Sequence, residues 1–161
     1  MTAPLWTSSD IELVTGGAAS APFEVTGSIS IDTRTLQKGD LFVALKDQRD
    51  GHDFVAAAFK AGAAGALVAR PIPGGPVVQV GDVLDALTQL GIAARVRCGA
   101  HRTAVTGSAG KTSVKEMLAR IYRAFGPAHW NVKSFNNHWG VPLTLARMPE
   151  ETQRAVFEIG M

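Results

Sequence analysis

The sequence predicts an α/β fold in two parts: a small mixed unit over residues 1–81 and, from residue 82, the first part of a parallel-sheet domain. Three observations point there. Short runs rich in apolar and β-branched residues, at 41–45, 66–69, 77–80, 102–106 and 155–159, alternate with segments whose apolar residues recur every three or four positions. The Gly81-Asp82 step separates one such run from a long helical-period segment, a natural place for a second unit to begin. The run at 102–106 passes through Gly107 and Gly110 directly into a helical segment, the strand-turn-helix join of parallel α/β sheets.

Taken in order, Thr7-Ser8-Ser9-Asp10 offers helix N-caps ahead of Ile11, Leu13 and Val14, and Gly16-Gly17 supplies a stop, so a short first helix is expected. Residues 23–26 and 29–31 are strand-like around Gly27, and with the turn at Lys38-Gly39-Asp40 and the run 41–45 they suggest a hairpin-like pair. After a polar loop, Phe54, Val55, Ala58, Phe59 and Gly62 share one helical face, and Ala66-Leu67-Val68-Ala69 reads as a buried strand. The proline-bounded segment 71–76 is a rigid loop before the strand at 77–80. Asp82 can cap a helix bearing Val83, Leu84, Leu87, Leu90 and Ala94, assigned to the second unit because a helix feeding a parallel strand usually packs on that strand's sheet. Beyond Gly126-Pro127 an irregular segment runs through Asn136-Asn137, residues 141–148 form a short helix with Pro142 in its first turn, and 155–159 are a strand. Only one clear strand follows Gly107, so the second unit is expected to be incomplete in this chain, a fragment inactive alone.

The chemistry concentrates at Gly107, Ser108, Ala109, Gly110, Lys111, Thr112 and Ser113. Glycines at both ends let the backbone turn its N–H groups inward, the following helix adds partial positive charge at its start, and Lys111 adds a full one. The Thr112 hydroxyl is placed to hold a magnesium ion bridging phosphates. The expected ligand is ATP. The strict G-x-x-x-x-G-K-[ST] pattern is not met, because Val105 stands where its first glycine belongs. The plainer alternative is a tight strand-helix turn with Lys111 in solvent. The helix that follows shows one apolar stripe, through Val114, Met117, Leu118, Ile121, Tyr122 and Phe125.

Composition narrows the rest. The 161 residues, 46% of them hydrophobic, suffice for one domain or two small ones. A net charge of +2 comes from scattered lysines and arginines, without the clustered face that nucleic acid requires. Cys98 has no partner for a disulfide and fits as a small buried hydrophobe. Asp10 and Glu12 stand where a signal peptide would be apolar, and no run approaches a membrane span, so a cytoplasmic protein is expected. His52, His101, His129 and His138 lack metal-ligand spacing. Trp130, Phe135 and Trp139, interleaved with Lys133, read as a packed loop rather than a base-stacking platform.

Four stretches resemble the Mur ligases. Asp32-Thr33-Arg34 with Gly39-Asp40-Leu41-Phe42-Val43-Ala44 is similar to the family's uridine-nucleotide segment, and Asp50-Gly51-His52-Asp53-Phe54 to the loop and helix after it. Residues 106–118 resemble its short phosphate loop, and residues 136–145, from Asn136-Asn137 on, resemble a marker of the branch that adds D-alanyl-D-alanine. Glu158-Ile159-Gly160-Met161 is similar to the end of its metal-binding strand.

The resemblance implies an ATP-dependent ligase of peptidoglycan synthesis, joining D-alanyl-D-alanine to UDP-N-acetylmuramoyl-tripeptide through an acyl phosphate and acting as a monomer. It implies a UDP-sugar-binding unit over 1–81 and the first part of an ATPase domain over 82–161. By residue, it implies Lys111 and the loop amides on the phosphates, Thr112 and Glu158 on magnesium, Thr33 and Arg34 against the uridine nucleotide, and Asn137 orienting phosphate or substrate. Glu158 could instead be a rim carboxylate, Arg34 a solvated edge residue, and Asn136-Asn137 simple turn chemistry. The rivals are a diamino-acid-adding relative, a nucleotide switch, and a module that only binds nucleotide or UDP-sugar.

Overall fold

The computed structural model of the chain describes residues 3–132 and 137–160. Lys133, Phe135, Asn136 and Met161, singled out above, lie outside the described residues. The chain divides into two compact units, Met1–Leu90 and Gly91–Met161. That division falls inside a helix, later in the chain than the expected boundary after residue 81.

The first unit opens with β1 (Trp6–Thr7) and helix α1 (Ser8–Thr15). Thr7 caps α1 by the reciprocal arrangement its sequence allows: its side chain accepts from the Asp10 N–H while Asp10 accepts from the Thr7 N–H, and Gly16 closes the C-terminus. Next come β2 (Ala18–Ala19), β3 (Glu24–Val25), β4 (Ile29–Ser30) and β5 (Leu41–Val43). A 3-10 turn, Gly51–Phe54, leads into α2 (Val55–Lys60), then β6 (Gly65–Val68) and β7 (Val77–Gln79).

The sheet runs β2-β7-β6-β5-β4, with β7, β6, β5 and β4 parallel and β2 antiparallel at one edge. The hairpin-like pair expected between residues 23 and 45 is therefore corrected: β3 pairs antiparallel with β1, and β4 lies parallel to β5 with Ile29 opposite Leu41. The reversal happens in the link between β4 and β5. Leu36 N–H bonds back to the Asp32 carbonyl, and the buried Asp40 carboxylate accepts from the Ser28 and Gln37 amides, so the chain coils and re-enters in the same direction. Phe42, Ala44, Val55, Ala58, Ala66, Val68 and Val77 form the core on one sheet face.

Helix α3 (Val83–Arg97) starts with the Asp82 carboxylate accepting from the Asp85 N–H. The second unit continues with β8 (His101–Val105), α4 (Lys111–Ala124), β9 (Ala128–Trp130), α5 (Gly140–Ala146) and β10 (Arg154–Glu158). Its sheet is parallel throughout, in the order β8-β10-β9. Strand β9 corrects the irregular reading of the segment after Gly126-Pro127. Its three residues are too few to show a period and it takes its pairing from β10. Cys98, Ala100, Met148, Ala155 and Phe157 pack together, and the Cys98 thiol donates to the Thr152 carbonyl at 3.5 Å.

Helix α4 exposes most of its apolar stripe. Its buried residues are Lys115 and Ala119, whereas Val114, Met117, Ile121 and Phe125 are exposed. The helix turns the small alanine and the lysine toward β10 and β9, and the reason for the lysine lies in the site.

Candidate functional site: a phosphate loop facing a buried carboxylate

Parallel pairing puts Glu158 opposite Val105, at the carboxyl end of β8 where the glycine loop departs. Ligands of open α/β sheets bind outside those strand ends. An open cleft of about 320 Å³ lies there, lined by Ser108, Ala109, Gly110, Lys111, Thr112, Ser113 and Glu158.

The loop's backbone leaves a helix start open to an anion. Gly107 and Gly110 take φ of 143° and 76°, values that side-chain-bearing residues rarely adopt. Gly110 is also the N-cap of α4, and no side chain caps that helix start. The first-turn N–H groups therefore face the cleft without a side-chain acceptor, and the helix dipole adds to their attraction for an anion. Lys111 Nζ donates to the Gly107 carbonyl at 2.5 Å, folding its ammonium over the loop.

Opposite the loop, the Thr112 hydroxyl donates to Glu158 Oε2 at 3.0 Å. Glu158 is 2% exposed, so its carboxylate sits at the rim of the cleft floor rather than in bulk solvent. The residues around it account for that burial. Lys115 Nζ stands 3.8 Å from Glu158 Oε2, 3.0 Å from Glu116 Oε1 and 2.9 Å from the Asn131 carbonyl, to which it donates. Asn131 in turn grips the Glu158 backbone: its Oδ1 accepts from Glu158 N–H at 2.8 Å and its Nδ2 donates to the Glu158 carbonyl at 3.3 Å. Both Lys115 and Asn131 are fully buried. Sequence reasoning passed over them as site residues. Lys115 did carry a signal, since it falls three and four residues after Thr112 and Lys111 and so shares their helix face. Asn131 carried none.

A hydroxyl and a carboxylate, hard oxygen donors beside a phosphate-binding loop, fit a magnesium ion whose other ligands come from phosphate and water. Among the described residues no three His, Cys, Asp or Glu side chains converge as a closed metal cage.

The other expected site residues lie elsewhere. Thr33 and Arg34 belong to the first unit, in the turn after β4. Arg34 is exposed and its guanidinium meets the Asp32 carboxylate at 2.7 Å, a hydrogen bond and charge that raise its pKa further. Asn137, expected to orient phosphate, is not among the residues lining the cleft. Its Oδ1 accepts from the Gly140 N–H at 2.9 Å and so steadies the entry to α5.

Two histidines make structural hydrogen bonds. His52 Nε2 accepts from the Ala69 N–H, which leaves Nδ1 to donate to Asp50, and the hydrogen bonds from the His52 backbone and ring hold the Asp50 carboxyl below its usual range. His129 Nε2 donates to the Thr144 carbonyl at 2.6 Å, and burial pushes its pKa down. No helix among the described residues is long and apolar enough to cross a membrane.

Residues 105–161, which carry the loop and Glu158, match the Mur ligase middle domain. The chain is 42% identical over 157 residues to the UDP-N-acetylmuramoyl-tripeptide–D-alanyl-D-alanine ligase of Bacillus subtilis, covering 93% of this chain and 34% of that protein. It is 46% identical over 136 residues to the ligase of the same name from Escherichia coli, covering 83% of this chain and 30% of that one. The crystal structure of MurF from Acinetobacter baumannii superposes with a TM-score of 0.80 at 34% identity, covering 97% of this chain and 36% of its own. MurF of Thermotoga maritima in complex with ADP superposes at 0.66 with 26% identity, covering 84% of this chain and 32% of its own. The chain spans about a third of the length of these relatives. A phosphate loop ahead of an amphipathic helix, a carboxylate at the neighbouring strand end and these similarities converge on the Mur ligases, whose middle domain residues 105–161 match.

Proposed function

We propose that the chain carries the nucleotide loop of an ATP-dependent amide ligase that joins D-alanyl-D-alanine to UDP-N-acetylmuramoyl-tripeptide in the cytoplasmic synthesis of peptidoglycan precursors. The observation that carries this reading is the Thr112–Glu158 contact of 3.0 Å across a loop whose helix start is open to an anion. The relatives that bear this ligase name, and one that binds ADP, support it.

A carboxylate does not react with an amine unaided, and transfer of the γ-phosphoryl group of ATP to it creates a leaving group. Lys111 and the amides of Ser108, Ala109 and Gly110 would hold the β- and γ-phosphates and stabilise the charge that develops during transfer. Thr112 and Glu158 would hold magnesium, which neutralises phosphate charge when bound. In the first unit, Thr33 and Arg34 would meet the uridine nucleotide, with Asp32 fixing the direction of the Arg34 guanidinium. Asn137 would orient phosphate or substrate through its Nδ2 donors, its oxygen being held by the Gly140 N–H.

The test is phosphate release by the full-length protein supplied with ATP, UDP-N-acetylmuramoyl-tripeptide and D-alanyl-D-alanine. Release that requires all three is expected. Release that proceeds with a diamino acid and a UDP-linked dipeptide instead would assign the protein to another branch.

A further inference from the structure

We propose that Lys115 is a positioning residue that acts through Glu158, fixing the carboxylate where it and Thr112 can share one divalent cation. This rests on the function proposed above. A lysine with no exposed surface is rare, and an apolar residue of similar volume would fill the same space without the cost of burying a charge. What the ammonium adds is direction. It is anchored at two points away from the cleft, donating to the Asn131 carbonyl at 2.9 Å and meeting Glu116 Oε1 at 3.0 Å.

Its separation of 3.8 Å from Glu158 Oε2 is too long for a hydrogen bond but close enough for charge attraction. Lys115 thus draws the carboxylate to one position without directly occupying a lone pair, and Thr112 reaches the same oxygen from the loop side. Lys111, one turn earlier, is folded onto the loop carbonyl of Gly107. Two lysines on one helix face therefore divide the work, the first serving the phosphates and the second the metal ligand.

Calorimetric titration of the full-length protein with ADP, once in EDTA and once with saturating MgCl2, separates the two roles. Lys115→Met should leave the EDTA affinity within about twofold, because Lys111 and the loop amides are untouched, and should cut the magnesium-dependent gain about tenfold, equivalent to about 1.4 kcal/mol of coupling. A residue needed only for packing would lower both affinities together, and that outcome, or an unchanged magnesium gain, overturns the proposal. The same titration of Glu158→Gln with and without Lys115→Met completes a cycle. If Lys115 acts only through Glu158, adding Lys115→Met to Glu158→Gln changes nothing further, and an additional loss refutes it. This double variant leaves neither member of the buried pair charged, so the comparison survives if Lys115→Met alone does not fold. Wild-type protein that binds ADP with no response to magnesium would refute the functional reading itself, whereas a wild-type response that Lys115→Met retains would refute only the role of Lys115.

Discussion

Replacing Asn131 by alanine isolates what holds the backbone of Glu158 in place. Backbone pairing between β9 and β10 ends at Trp130 opposite Val156, so beyond it the Asn131 side chain takes the place of a neighbouring strand for Glu158. Truncation removes both bonds inside a fully buried site. The N–H, paired at 2.8 Å, bears most of the cost of losing its acceptor, about 1–3 kcal/mol. The carbonyl, paired at 3.3 Å, adds about 0.5–1.5 kcal/mol. The expected loss is about 1.5–4.5 kcal/mol, and at about 2–4 °C per kcal/mol for a chain of this size the Tm should fall by about 3–18 °C.

Thermal and urea unfolding followed by tryptophan fluorescence measure the loss, and hydrogen exchange at the Glu158 amide shows where it arises. Asn131→Asp keeps the acceptor but sets an oxygen against the Glu158 carbonyl, so it should not restore stability. A loss under about 0.5 kcal/mol for Asn131→Ala, or full recovery in Asn131→Asp, would refute the account of Glu158.

Other perturbations separate the roles of neighbouring residues. Lys111→Ala should lower kcat for ligation by about 10²–10³, the usual cost of one preorganised cationic or oxyanion contact, while leaving Kd for the UDP-linked substrate unchanged; equal loss of both in steady-state and binding assays would indicate misfolding. Gly110→Ala should cost about 1–2 kcal/mol in urea unfolding, from the left-handed backbone alone, since a Cβ there meets nothing within 4 Å; a larger loss would reveal crowding. His129 makes stability pH-dependent. Its folded pKa is depressed, so the unfolded chain binds the extra proton, and the contribution is full above the unfolded value of about 6.5 and lost as pH falls below it. The urea midpoint should drop from about pH 7.5 to about pH 5 in the wild type and flatten in His129→Gln.

The loop's turn and its helix start were legible because they are local. Gly107 and Gly110 declare the turn and Lys111 the start of α4, and Thr7, Asp82 and Gly16 mark helix ends by capping chemistry. What escaped was set by tertiary partners. The parallel pairing of β4 with β5 depends on how the intervening turn coils around Asp32 and Asp40, and strand-like composition alone suggested a hairpin. Strand β9 is too short to show a period. On α4 the apolar stripe said nothing of Lys115, which is buried beside Glu158 while Met117 and Phe125 are exposed in a chain that spans about a third of its relatives' length.

The central claim, that the backbone from Gly107 to Ser113 and the Glu158 carboxylate together receive a magnesium nucleotide, is tested most directly by following backbone amide NMR resonances during titration with ADP, first without and then with magnesium. ADP alone should shift the amides of residues 108–113, and magnesium should then shift Thr112 and Glu158. Shifts that bypass this loop, or a magnesium response that leaves Glu158 unmoved, would contradict it.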